Sequence, residues 1–378
     1  MKKIIFWFFT LLLGFTGGSC GEEMAPINNQ EDFQEFLIEE MDFQEIPALS
    51  LLIFEEDRIL YETYQGQSNL ELGVALEEDH MFLLASVSKV VTATALMQLY
   101  DKDLFALDDA INNYLDFPVN LPNQSDPISF RMLLTHSSGI ADGPSLDEHY
   151  YYGEDSPIHL GDFLEDYLVP GGRYYNQDEN FLDFEPGTRY EYSNVGTAVI
   201  AHLVEKISGR DFNSYCHTNI FEPLGMHHSY WRLTDALQAG TIVQPYDWDG
   251  TTNEVIEHYS FTDYPNGGLR TTGRDLFHLL KAFVSNGQSN GYQVLSPTSI
   301  DMMTSLQIPG INNEMGLHLF VMDEERKLWG HDGGEQGVAT IMGFNLDTKV
   351  GVIVLSNQGE ADLEQILQAS YDFGLSLR

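Results

Sequence analysis

Cysteine is almost missing from this chain, which has only Cys20 and Cys216 among its 378 residues. Cys20 falls in a segment that reads as a targeting signal. Cys216 is then left alone, and no intrachain disulfide is expected in the mature protein. Basic side chains are also scarce: Lys and Arg number 18 against 58 Asp and Glu, a formal net charge of −40. Such a surface repels phosphate backbones and anionic lipid, which argues against nucleic acid as a partner; the bland meaning of the acidity is solubility. Beyond the N-terminus no run is long and apolar enough for a transmembrane helix. Repeats and low-complexity tracts are absent. The 12 histidines, His227-His228 included, lack metal-ligand spacing, so no metal and no cofactor is expected.

What is present is a globular composition, 43% hydrophobic and 12% aromatic, enough for one large domain or two smaller ones. The N-terminus has a basic pair, Lys2 and Lys3, a short apolar stretch from Ile4 to Phe15, and small residues up to Ser19. Residues 1–19 therefore read as a secretory signal. Small residues before Cys20 are similar to a bacterial lipoprotein cleavage site, although Gly17 stands where Leu is usual. On that reading Cys20 is lipidated and 20–30 is a tether. The protein is then exported, to the periplasm or outer surface of a bacterium, and meets the membrane only through its anchor. The alternative is plain secretion with cleavage nearby. Gly17-Gly18-Ser19-Cys20-Gly21 fits the G-x-S-x-G nucleophile elbow, but no strand precedes it and no helix follows, so it is set aside.

Glu31 to Met41 has the pattern of an amphipathic helix. Ala48 to Phe54 and Arg58 to Tyr64 are apolar, β-rich runs separated by acidic residues, which predicts a hairpin. Leu317 to Met322, Lys327 to Gly330, Thr340 to Leu346 and Val350 to Leu355 predict further strands, with a tight turn at Asp347-Thr348. Ala361 to Leu375 closes the chain as an amphipathic stretch. Strands thus cluster at both ends, with mostly helical patterns between them. The expected fold is α+β: an antiparallel sheet built from both termini, flanked by helices, with a mostly helical insertion. The sheet part covers about 31–90 and 265–378, and the helical part about 91–264.

Three short motifs carry chemistry. In "LLASVSKVVTATALMQLY" (83–100), Ser86 and Lys89 stand three apart, on one face of a helix. Lys89 is surrounded by Val90, Val91, Ala93 and Leu96, and desolvation lowers an amine's pKa. A readily neutralised amine beside a hydroxyl is a base for activating a nucleophile. The second motif is Tyr192-Ser193-Asn194 in "PGTRYEYSNVG", which offers a phenol for proton transfer and a carboxamide for substrate. It also suits a capped helix start, since Asn194 opens the apolar run Val195 to Val204. The third is His331-Asp332-Gly333-Gly334, on or just after a strand, where glycines let backbone approach a ligand closely.

Together, in this order, the motifs resemble those of the serine hydrolases that include penicillin-binding proteins, class C β-lactamases and related esterases. "ISFRMLLTHSSGI" (128–140), "IFEPLGM" (220–226), "NGGLRTTGRDLFHLLKAF" (266–283) and "VGVIVLSNQ" (350–358) are similar to that family's recurring segments. The resemblance runs from about Phe33 to the C-terminus. It implies that Ser86 is the nucleophile and that Lys89 and Tyr192 share the acid and base work. It implies that Asn194, His331 and Asp332 meet substrate, and that the N–H of Ser86 and one from Gly333–Gly334 form the oxyanion hole.

The implied reaction is hydrolysis of a small ester, amide or peptide through an acyl-serine, by an esterase or a peptidase acting on D-amino acids. The alternatives are a β-lactamase or DD-peptidase, and, in another class, a sensor that is acylated and turns over slowly. Asp332 replaces the threonine that relatives use to receive a substrate carboxylate, so anionic substrates are expected to be poor. The E-x-x-L-N deacylation segment of class A enzymes is absent.

Overall fold

A computed structural model describes residues 27–378. The expected signal, Cys20, most of the tether and the G-x-S-x-G match lie outside the described residues. Strands Ala48–Glu55 (β1), Arg58–Asn69 (β2) and Val74–Ala75 (β3) come from the N-terminal end of the main sheet. Phe320–Asp323 (β4), Leu328–Glu335 (β5), Val338–Phe344 (β6) and Val350–Ser356 (β7) come from the other end. Their order in space is β4-β5-β6-β7-β1-β2-β3. The ends of the chain meet where β1 pairs antiparallel with β7, from Leu49↔Ser356 to Glu55↔Val350. The longest helices among the described residues are Gln30–Phe43 (α1), Ser88–Tyr100 (α2), Asn194–Ser208 (α3), Gly273–Val284 (α4) and Glu364–Ser376 (α5).

The central strands are apolar throughout because both faces of the sheet are covered. Leu49, Leu51 and Ile53 of β1 join Val350, Val352 and Val354 of β7 on one face, under Phe33 and Leu37 of α1 and Ile366 and Phe373 of α5. Leu52, Phe54, Ile353 and Leu355 turn to the other face, in one core with Leu276, Leu279 and Leu280 of α4. Asn29 starts α1 by accepting the N–H groups of Glu31 and Asp32, two acidic residues at the positive end of the helix dipole. Helix α2 differs from both surface helices: every residue from Ser88 to Leu99 is buried. Its apolar residues are spread around all sides because it runs through the interior, beside α3. No helix among the described residues is long and apolar enough to cross a membrane.

Two features differ from the sequence expectation. The strand expected over Lys327 to Gly330 runs on to Glu335, so His331-Asp332-Gly333-Gly334 lies inside β5. Two adjacent glycines weaken the strand signal, but β6 pairs that stretch without a break, from Trp329↔Phe344 to Glu335↔Val338. The region expected to be mostly helical also contains β-ribbons. Tyr150–Tyr152 pairs with Tyr259–Phe261, and Tyr246–Trp248 with Asn253–Val255. Each strand is three residues long, too short for an alternating pattern to show. The boundary placed at residue 90 falls inside α2.

Phe54 is fully buried, 5.1 Å ring to ring from Phe277, and its ring fills the space above Gly351. Phe54→Ala is expected to lower unfolding free energy by about 3–5 kcal/mol, read as a lower urea midpoint with an unchanged slope.

Candidate active site

Ser86 sits on a tight turn, Ala85–Val87, that leads directly into α2. Ala85 is held at φ 47°, a left-handed conformation that costs a residue with a Cβ. The surroundings impose it. Leu84 N–H donates to Leu269 O (2.8 Å), Thr340 Oγ1 donates to Leu84 O (2.7 Å), and Ser88 Oγ accepts from Leu269 N–H (3.2 Å). Strand β6 and the 265–269 segment thus fix a half-buried hydroxyl at the mouth of a buried helix.

One turn on, Lys89 has no exposed surface. Its Nζ lies 2.7 Å from Asn194 Oδ1, 2.8 Å from Asn266 O and 3.0 Å from Ser86 Oγ. The first two partners are carbonyl oxygens and can only accept; the third can also donate. When the ammonium loses a proton, its two remaining hydrogens stay with the carbonyls and its lone pair faces Ser86. Burial brings the amine down to about 7, against the pull of Asp142, Asp263, Glu335 and Asp332, which favour its charge. The amine is therefore both aimed at the hydroxyl and able to give up its proton near neutrality.

Tyr192 and Asn194 flank the start of α3. Ser193 is its N-cap and accepts from Gly196 N–H (2.8 Å), while Asp142 accepts from Asn194 N–H (2.8 Å) and Val195 N–H (3.0 Å). These bonds satisfy the free N–H groups of the helix end and set the flanking side chains over Lys89. Nζ is 4.9 Å from the centre of the Tyr192 ring. Burial drives the phenol well above its ordinary pKa, although the Ser86 hydroxyl works the other way. Tyr192 is thus a neutral phenol at physiological pH.

The third wall is β5. Strand β4 pairs only with Leu328, Trp329 and Gly330, so residues 331–335 have a strand neighbour on one side only. Their other edge packs on the Ser86 turn. A Cβ on Gly333 would lie 2.6 Å from Leu84 O and 2.9 Å from Ser86 N, so only glycine fits there. A Cβ on Gly334 would meet nothing within 4 Å. Backbone of the glycine pair and the Ser86 N–H are thereby brought together, as an oxyanion site requires.

His331 is buried, at 1% exposure: its Nδ1 donates to Asp332 O at 2.5 Å, and its ring packs edge-on against Phe320 at 5.1 Å and lies 6.5 Å from the Tyr192 ring. Alternation along β5 puts it on the same face as Gly333, the face that meets the Ser86 turn, so it helps to build the wall of the site. Asp332 is what faces solvent.

Several functional groups escaped the sequence reading. Asp142 caps α3 from 52 residues away. Asn266 acts through its carbonyl, which no side-chain pattern marks. Asp263 is 6% exposed and pushed up to about 7, first by burial and then by Asp142. Glu335 is raised by burial and accepts from Tyr150 Oη at 3.0 Å. Among the described residues one set, Glu77, Asp79 and His80, brings possible metal-donor atoms within 4.8 Å of one another. Two of the three are exposed carboxylates, and nothing else there points to an ion.

A family model described as Beta-lactamase matches residues 33–372. The chain belongs to the beta-lactamase family. It is similar to Protein flp of Staphylococcus aureus (strain COL), 23% identical over 335 residues that cover 88% of this chain and 64% of that protein. It is also similar to penicillin-binding protein 4 of Amycolatopsis lactamdurans, 27% identical over 330 residues, 84% of this chain and 82% of the relative. Among solved structures, EstCE1, a hydrolase with promiscuous acyltransferase activity, matches with a TM-score of 0.72 at 17% identity, covering 90% of this chain and 97% of that one. The chain spans less than two thirds of the length of the first of these curated relatives. What the solved structure shares with this beta-lactamase family member is the fold, the α+β arrangement of the β-lactamase/transpeptidase type.

Lys89 also predicts a pH dependence of stability. The folded amine releases its proton near 7 and the unfolded one near 10.5. Between these values the unfolded chain binds more protons, so stability rises with pH. Denaturant unfolding between about pH 7.5 and 9.5 is expected to show that rise in the wild type. In Lys89→Met the slope of stability against pH should fall.

Proposed function

We propose that this protein is an exported serine hydrolase that cleaves an ester or amide through an acyl-Ser86 intermediate. The observation that carries the reading is the buried Lys89 amine, held by two carbonyl acceptors so that its lone pair faces Ser86. As Oγ bonds to the substrate carbonyl carbon, its proton passes to Lys89. The N–H groups of Ser86 and of Gly333–Gly334 stabilise the oxyanion, a contribution of about 2.7–4 kcal/mol for each donor in such sites. Collapse breaks the bond to the leaving group, which takes a proton through Tyr192. Water then attacks the acyl carbon, gives up a proton by the same route, and Ser86 is released protonated. Asn194 keeps its oxygen on Lys89 and offers its NH₂ group to substrate.

The substrate class follows from charge. Asp332 is exposed at the mouth, and Asp142, Asp263 and Glu335 all act on Lys89. A substrate carboxylate placed there would be repelled. Esters, neutral amides and amine-bearing substrates are favoured over β-lactams and peptides with a free C-terminal carboxylate. The likeness to an acyl-transferring hydrolase agrees with an acyl-enzyme open to more than one acceptor. Export and anchoring at Cys20 belong to the same proposal, and loss of lipid labelling in Cys20→Ala tests them.

The activity test is a panel of p-nitrophenyl esters, D-amino-acid amides and a chromogenic cephalosporin. Esters or amides should turn over with kcat/KM rising around a midpoint of about 7. Ser86→Ala should lose at least about 10³-fold. Cephalosporin hydrolysis at about 10⁴ M⁻¹s⁻¹ or faster, an ordinary enzyme efficiency, would overturn the charge argument. Stoichiometric labelling of Ser86 without turnover would make the protein a sensor.

A further inference from the structure

We propose that His136 is a positioning residue for Tyr192, holding the phenol in line with Ser86 and Lys89. The inference rests on the proton-transfer role given to Tyr192 above. His136 lies outside the three motifs, 56 positions before the tyrosine, and is 1% exposed. It grips the tyrosine's segment three times. Its backbone carbonyl accepts Glu191 N–H at 2.8 Å, on one side of Tyr192. Its Nδ1 accepts Ser193 N–H at 3.2 Å, on the other side. Between these two bonds its ring stacks on the Tyr192 ring, 4.3 Å between centres and 29° between planes. One residue therefore fixes the backbone before and after Tyr192 and the plane of its ring.

Accepting at Nδ1 requires the neutral imidazole with its proton on Nε2. The surroundings favour a neutral ring, and no hydrogen-bond partner among the described residues reaches Nε2. Burial lowers the basicity of His136, and His318, Lys89 and His331 lower it further. Below His136 lies His318, 4.6 Å between ring centres, whose backbone N–H donates to Leu134 O and whose Nε2 pairs with Thr197 Oγ1 of α3 at 3.2 Å. The support of Tyr192 is thus tied to the same helix that carries Asn194. The backbone at His136 is held at φ 51°, a left-handed conformation that most residues with a Cβ avoid. That strain is kept where both its carbonyl and its ring are needed.

The test is a double-mutant cycle using p-nitrophenyl butyrate as the probe, with unfolding measured on each protein. His136→Asn keeps an acceptor near the Nδ1 position and tolerates the left-handed backbone, but loses the stacked ring. His136→Phe keeps a ring and loses the acceptor. Each is expected to lower kcat about tenfold or more with KM changed less than about twofold, and neither should match Tyr192→Phe in severity. In the Tyr192→Phe background either substitution should cost less than about twofold, because the group it positions is gone.

Equal fold-losses with and without Tyr192, or a loss confined to KM, would overturn the proposal. If His136→Phe does not fold, the cycle with His136→Asn alone decides. A Tyr192→Phe protein with wild-type kcat would instead sink the role given to the tyrosine, and this inference with it.

Discussion

A charged side chain with no water around it must find partners or lose its charge. Lys89 does both, and the rest of the structure is arranged around that fact. Its three partners come from the Ala85–Val87 turn, α3 and the 264–266 turn, the last of them 177 residues away from it in the chain. Moving any of these elements would strand the amine. Desolvation also makes Lys89 a constraint on packing, since the buried helix α2 accepts an amine only where those carbonyls reach it.

The strained turn and the glycine pair serve the same centre. The left-handed Ala85 sets Ser86 at the mouth of α2, and Gly333 brings β5 flush against that turn. Carboxylates of Asp142, Asp263 and Glu335 gather within reach of a single amine, so the site inherits in miniature the acidity of the whole chain. Burial raises all three carboxyls. They therefore stabilise a protonated Lys89 without holding it permanently charged.

Much of this could be read from residue order, for identifiable reasons. Lys89 stood out because its neighbours within one turn are apolar, and that contrast is local. The terminal strands stood out because apolar runs of six or seven residues, such as Ala48 to Phe54 and Val350 to Leu355, are bounded by acidic or turn-forming residues. The motif Tyr192-Ser193-Asn194 was legible both as chemistry and as a helix start, and it is both. What stayed hidden acts at long range or through the backbone. Asp142 accepts from the Ser193 hydroxyl and from N–H groups at the start of a distant helix. Asn266 contributes a carbonyl that any residue would carry. The direction of His331 is set by strand alternation, which puts it beside Tyr192, and the glycines next to it had blurred the strand.

The pairing of β1 with β7 has a consequence in time. The sheet's first strands leave the ribosome long before the partner that completes them, and contacts so far apart in sequence form slowly. The glycine pair that the proposed reading assigns to the oxyanion site lies on β5, which is made later than the serine and lysine. On that reading Ser86 and Lys89 can be in place at the head of a finished α2 while the site still lacks a wall, and it is complete only when β5 to β7 have folded back onto β1.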